Sequence, residues 1–210
     1  MKRKYILLSL LVLTALLLAS CASPASELAQ PAVESEAVME EKPADEQPQS
    51  ADTTGDAPTV DVPAWFTKEL TDVNTGMVFK VADFQGKVIL VETMATWCSK
   101  CLSQQKEVAR LHDILGDRND FVSLGIDIDP NEDVSQLTGY VKKNVFDWLY
   151  IVASDEVVNE ISALYGNQYL NPPSTPMLII DKQGEEHLLP FGIKSAEDLQ
   201  NALQPFFDEA

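Results

Sequence analysis

Basic residues, histidine and cysteine are all scarce in this chain of 210 residues. Fifteen Lys and Arg stand against 33 Asp and Glu, for a formal net charge of −18. Phosphate binding needs clustered cations, so this balance argues against a nucleic-acid partner. Acidity also favours solubility and names no partner of its own. Three cysteines are too few for a scaffold built on disulfides, and two histidines offer little to a metal centre. Hydrophobic residues make up 45% of the chain, an ordinary share that permits a buried core. The length suits one domain with extensions or two small domains.

A long apolar run occurs at the start. Lys2-Arg3-Lys4 precedes residues 6–19, which are interrupted only by Ser9 and Thr14. These are the basic and hydrophobic regions of a secretory signal. The run is shorter than the ~20 residues of a comfortable membrane span. Its end, Leu18-Ala19-Ser20-Cys21, resembles the lipobox of bacterial lipoproteins. That resemblance implies cleavage before Cys21, diacylglycerol on its sulfur and usually an acyl group on its new amine. Two or three acyl chains anchor stably where one does not. Residues 1–21 are thus read as a lipoprotein signal peptide, and Cys21 is withdrawn from redox chemistry. Residues 22–60 hold nine acidic residues, one basic residue (Lys42) and five prolines, with no sustained apolar period. Such a segment does not pack and reads as a disordered tether, with a reach of about 35 Å.

The folded domain is expected over residues 61–210. Residues 66–71 and 77–81 read as a hairpin around Asp72-Val73-Asn74-Thr75-Gly76. Residues 88–92 read as a buried strand. Val108, Leu111, Ile114 and Leu115 fall at helical spacing, with Gly116 as the stop. An apolar strand over 121–128, a helix through Val134–Val145, a strand over 148–152 and a helix over 156–165 follow. A loop with three prolines, Pro172, Pro173 and Pro176, leads to a strand over 177–180. A hairpin partner over 186–189 and a helix over 195–206, capped by Ser195 with Asp198 three residues on, complete the pattern. Alternating strands and helices predict an α/β domain with helices on both faces of the sheet.

Between the strand at Val88 and the first long helix lies Trp97-Cys98-Ser99-Lys100-Cys101. A helix N-terminus presents unpaired N–H groups and the positive end of the dipole, so it favours thiolate over thiol. Cys98 is therefore the candidate nucleophile, and Cys101, one turn in, can attack it back. A Cys-x-x-Cys pair alone also fits half a zinc site, which would need two further ligands. His112 and His187 are the only histidines, and both read as surface or packing residues.

Taken together, Gly86-Lys87 before the central strand, Ala95-Thr96-Trp97-Cys98, the helix–strand–helix insertion between Asp129 and Asn167, and Thr175-Pro176 before a late strand resemble the thioredoxin-like fold. More narrowly the chain resembles the membrane-tethered thiol–disulfide oxidoreductases of the TlpA/ResA type. The resemblance covers about residues 62–208. It implies a central mixed sheet flanked by helices, with an N-terminal β-hairpin. It implies a Cys98–Cys101 disulfide in the oxidised state, with Cys98 exposed and Cys101 the more buried, resolving thiol. Glu92, six residues before Cys98, matches the buried acid of that fold, suited to take and return the proton of Cys101. Pro176 matches the cis-proline that faces the pair, turning the Thr175 backbone toward a substrate strand. Trp97 would shelter the thiols from water, and Lys100 would help lower the Cys98 pKa. Lys106 stands where many members place a helix-kinking proline, and Met94 where an aromatic is common.

The same resemblance implies an extracytoplasmic, lipid-anchored disulfide reductant without a cofactor. Its clients would be protein disulfides such as those of apocytochrome c, in cytochrome c biogenesis. Its electrons would come from a membrane donor of the CcdA or DsbD kind. Two other readings are a thiol peroxidase and a copper metallochaperone. The peroxidase signature wants Thr and Pro where Ala95 and Val91 stand. The chaperone wants three residues between its cysteines and a distal histidine.

Overall fold

A computed structural model describes residues 62–208. The expected signal peptide, Cys21 and the tether lie outside these residues. The architecture comprises a small hairpin, β1 (Leu70–Thr71) with β2 (Val78–Phe79), and a five-stranded sheet. The sheet strands are β3 (Val88–Met94), β4 (Phe121–Asp127), β5 (Leu149–Val152), β6 (Met177–Ile180) and β7 (Glu186–Leu188), in the spatial order β5-β4-β3-β6-β7. β3, β4 and β5 run parallel, and β6 and β7 add antiparallel at the other side. The mixed sheet follows from the connections. Parallel neighbours need helical crossovers, whereas a tight turn at Asp181–Gly184 suffices between β6 and β7.

The helices are α1 (Ser99–Leu115), α2 (Val134–Asn144), α3 (Asp155–Tyr165) and α4 (Ala196–Asp208). All seven residues of β3 are buried, as a central strand covered on both faces requires. Side-chain alternation splits them. Val88, Leu90 and Met94 join one core with Leu111, Leu137, Val141, Leu199 and Leu203 from α1, α2 and α4. Ile89 and Val91 join the other, with Val157 and Ile161 from α3 and with Trp65 and Phe66. Each fully buried aliphatic side chain contributes about 1.5–3 kcal/mol, so both layers are needed. The expected caps are present. Gly116 closes α1 at φ 63°, and Ser195 Oγ accepts from Asp198 N–H at 3.1 Å while Asp198 Oδ2 accepts from Ser195 N–H.

The first expected strand is corrected. Residues Ala64–Thr67 form a 3₁₀ turn, and only Leu70–Thr71 is extended. Trp65 and Phe66 are consecutive and both buried, in an edge-to-face pair 4.7 Å apart. A strand would send them to opposite faces, whereas a turn lets both enter one core. The proline-rich loop is likewise compact, with 3₁₀ turns at Asn167–Leu170 and Pro172–Ser174. The hairpin turn covers the sheet edge: Val73 N–H donates to Tyr150 O, and Tyr150 N–H donates to the buried Asp72 carboxylate.

Candidate active site

β3 delivers the chain to the start of α1. Cys98 N–H donates to Ala95 O at 3.1 Å, and Cys98 then serves as the N-cap of α1. Its sulfur accepts from Cys101 N–H at 3.1 Å, one of the orphan donors of the first turn. The two sulfurs are joined in a disulfide, with the Cα atoms 5.3 Å apart. Both cysteines belong to the α1-side core, Cys98 at 2% exposure and Cys101 at 0%. This corrects the expectation of an exposed Cys98: Met94, Ala95 and Met177 belong to the same buried cluster. The Cys101 sulfur lies 3.2 Å from the Pro172 carbonyl oxygen. When the disulfide is open, that carbonyl is an acceptor in place for the Cys101 S–H.

Glu92 lies on the β3 face that also carries Leu90 and Met94, toward the cysteine helix. It is buried, and its Oε1 has no hydrogen-bond partner. Burial pushes its carboxyl up to about 8, against the opposing pull of the Lys194 charge and the Gln105 amide. Gln105 Oε1 accepts from Tyr140 OH at 2.8 Å, while its Nε2 lacks a partner of good geometry. Opposite Glu92 in the β3–β4 ladder is Gly125. The ring of Tyr150 occupies the space that a Cβ there would fill. Burial lifts the Tyr150 phenol well above its ordinary value, and the Glu92 charge adds to that. Tyr140 is shifted in the same direction by the same two causes.

The Pro176 expectation is corrected. The described residues contain no cis peptide bond, so Thr175–Pro176 is trans. Thr175 instead takes the left-handed conformation, φ 47° and ψ 59°, which turns the chain before β6. The expected pairing of its backbone with a substrate strand is also unmet in this state. Thr175 is fully buried, its N–H donates to Pro172 O at 2.8 Å, and its carbonyl accepts from Lys194 Nζ at 3.0 Å.

Trp97 precedes the pair directly. It is 59% exposed, and its indole N–H donates to Asp129 Oδ2. Beside it, Glu132 accepts from both Thr96 N–H, at 2.8 Å, and Thr96 Oγ1. The β4–α2 loop thus holds the segment before Cys98 at three points. Asp127 beneath that loop is fully buried; burial first, then the neighbouring Glu132 carboxyl, push it up to about 8. Lys100 is exposed in the first turn of α1.

Among the described residues, no group of three metal-ligating side chains includes a cysteine. His112 stacks on Trp148 and hydrogen-bonds Ser123, and His187 pairs with Asp181. Sequence reasoning missed Lys194, the Thr96–Glu132 clamp and Asp127. Two carboxyls flanking Asp129-Pro130 are a signal for the clamp, but nothing local marks Lys194.

No protein-family model matches the sequence, and no curated protein matches it. Solved structures do. A thiol:disulfide interchange protein of the thioredoxin family from Chlorobium tepidum superposes with a TM-score of 0.53 at 22% identity, covering 66% of this chain and 92% of its own. A secreted thiol-disulfide isomerase from Corynebacterium glutamicum gives 0.56 at 19%, covering 68% and 84%. A secreted Mycobacterium tuberculosis disulfide oxidoreductase homologous to DsbE gives 0.52 at 18%, covering 67% and 96%. At these identities the likeness shows a shared fold, thioredoxin-like.

Proposed function

We propose that this chain is a thiol–disulfide oxidoreductase that reduces client protein disulfides outside the cytoplasm, tethered by lipid on Cys21. The observation that carries the reading is the Cys98–Cys101 disulfide at the N-terminus of α1, above a buried acid on β3. In the dithiol state, the Cys98 thiolate attacks a client disulfide, forming a mixed disulfide and expelling one client thiolate. Cys101 gives its proton to the Glu92 carboxylate and attacks the Cys98 sulfur. The second client sulfur leaves, and Cys98–Cys101 closes. Two electrons pass to the client, which gains two thiols; the protons come from the dithiol, partly by way of solvent. Turnover requires a donor of two electrons, for which the sequence resemblance suggests a CcdA or DsbD type membrane protein. Apocytochrome c is the client class suggested on the same ground. Trp97, Phe191 and Ile193 are exposed on segments flanking the pair and suit an unfolded, apolar-bearing client.

The test is reduction of a peptide disulfide by the reduced protein, with the potential measured against glutathione. Turnover lost in both Cys98→Ser and Cys101→Ser, and a potential nearer ~−270 mV than ~−120 mV, fit a reductant. A value at the oxidising end overturns that direction. Retained turnover in Cys98→Ser overturns the nucleophile.

A further inference from the structure

Thiol–disulfide exchange needs an incoming sulfur to reach one of the paired sulfurs. Cys98 and Cys101 are 2% and 0% exposed, so neither is reachable in this conformation. Part of what surrounds them is sheet and helix: Met94 on β3, Met177 on β6 and α1 itself. The remainder includes a loop, residues 166–175. Its Pro172 carbonyl oxygen lies 3.2 Å from the Cys101 sulfur, and its second 3₁₀ turn packs on α1 and β3.

This loop is built as one body with few ties to the rest. Most of its backbone hydrogen bonds are internal: Tyr169 N–H donates to Gly166 O, Ser174 N–H to Asn171 O and Thr175 N–H to Pro172 O. Asn167, Gln168 and Asn171 are exposed, whereas Tyr169 and Pro172 are buried, so it has a wet face and a dry one. No strand ladder includes it. It is fastened at single points instead. Thr93 Oγ1 donates to Tyr169 O at 2.6 Å, Tyr169 OH to Met177 O at 3.0 Å and Gly192 N–H to Ser174 O at 2.9 Å. Lys194 Nζ donates to Thr175 O at 3.0 Å, and Lys194 N–H is pinned to α1 by Gln104 Oε1 at 2.7 Å. A segment held by isolated bonds opens at lower cost than one in a ladder.

Three costs meet at Thr175, where the loop joins β6. It is β-branched yet left-handed, at φ 47° and ψ 59°. A residue before proline prefers extended backbone, with ψ of about +120° to +160°. Its Oγ1 is buried without a hydrogen-bond partner. At the other end Gly166, at φ 86°, carries no Cβ to resist a change of backbone angle. The conformation over the pair is thus held against a strain that lifting the loop would relieve.

We propose that residues 166–175 form a lid over the disulfide, closed in this structure, with Thr175 as its strained hinge and Thr93 as a latch. The proposal rests on the reading of Cys98–Cys101 as the working pair. In the open form Thr175 leaves the left-handed region, its hydroxyl meets water, and the pair becomes reachable. The strain keeps the two forms close in free energy, so the pair is accessible in brief openings and shielded between them.

The experiment times reduction of the oxidised full chain by excess dithiothreitol, which closes to its own cyclic disulfide as the protein disulfide opens. Released thiols are trapped with iodoacetamide and counted by mass. Amide exchange at Gly192, whose N–H is bonded to Ser174 O, reports opening without a redox step. Thr175→Gly removes the strain and the buried hydroxyl, so both rates should fall by about tenfold while the urea midpoint rises. Thr93→Val removes a latch with little change of shape, so both rates should rise by about fivefold. Unchanged or faster reduction in Thr175→Gly overturns the hinge, and unchanged reduction in Thr93→Val overturns the latch. Reduction rates that move while Gly192 exchange stays fixed overturn the lid itself. Failure to reduce a peptide disulfide, with both variants behaving as expected, overturns the functional reading and leaves the lid standing.

Discussion

The Cys101 sulfur and the Pro172 carbonyl oxygen lie 3.2 Å apart, while the Cys98 sulfur accepts from a helix N–H at 3.1 Å. The two sulfurs therefore meet opposite partners. Cys98 accepts from a backbone N–H at the positive end of α1, which stabilises an anion, whereas Cys101 faces an oxygen, which stabilises S–H. In the reduced protein, Cys98 should be alkylated first, and below about pH 7, with Cys101 following only at higher pH. Mass mapping of the modified cysteines across pH checks this. Equal rates at the two positions would refute the asymmetry.

Stability should fall as pH rises from about 4.5 to about 8. Glu92 and Asp127 both hold their protons more tightly folded than unfolded, the first pushed from 4.5 to about 8 and the second from 3.8 to about 8. Within that window the native state binds more protons than the unfolded state, so raising pH favours unfolding. Each group contributes a slope of about 1.4 kcal/mol per pH unit at most. Urea unfolding at the two ends of the window measures the loss. Glu92→Gln should remove about half of the slope, and an unchanged slope would place the titration elsewhere.

Gly125→Ala should destabilise the protein by about 1–3 kcal/mol, the range for overpacking a tight core. Its Cβ would stand 2.5 Å from Tyr150 Cε1 in a ring that is fully buried. Because Gly125 faces Glu92 in the ladder, the same change should also disturb the carboxyl titration. A shift in urea midpoint with unchanged m-value is the expected record. Double replacement with Tyr150→Leu should recover part of the loss.

Val145 closes α2 in the left-handed conformation, at φ 59°, with its side chain 84% exposed. A β-branched residue is strained there, and its exposed side chain gains little packing in return. Val145→Gly should raise stability by ~1 kcal/mol. A thermal midpoint that falls instead would show that the valine side chain contributes packing.

Much of the fold was legible in the sequence because its cues are local. The spacing of Val108 and Leu111, the stop at Gly116 and the Ser195–Asp198 cap each report on neighbours within a turn. The burial of Glu92 was implied by the family resemblance, from its place six residues before Cys98, and the side chain is buried. Contacts between distant segments were not legible. Lys194 meets Gln104 and Thr175 only after the chain folds, and a lysine two residues after Gly192 carries no mark of burial. Trp97 was legible only in part: an aromatic beside a redox pair suggests shelter, while its 59% exposure and its bond to Asp129 depend on the β4–α2 loop. The trans bond before Pro176 and the left-handed Thr175 are backbone choices that the residue types left open.

Cys98 is at once a sulfur that exchanges partners and the N-cap that fastens the first turn of α1. Every change in what that sulfur is bonded to is therefore felt by the backbone N–H of Cys101, which borrows it as an acceptor. A thiolate strengthens this fastening, and a disulfide, to Cys101 or to a client, weakens it. The helix end is thus a gauge of electron load, firmer when the protein carries its two electrons and looser once they are delivered. Amide exchange at Cys101 and Leu102 should record the difference, slower in the reduced protein than in the oxidised one.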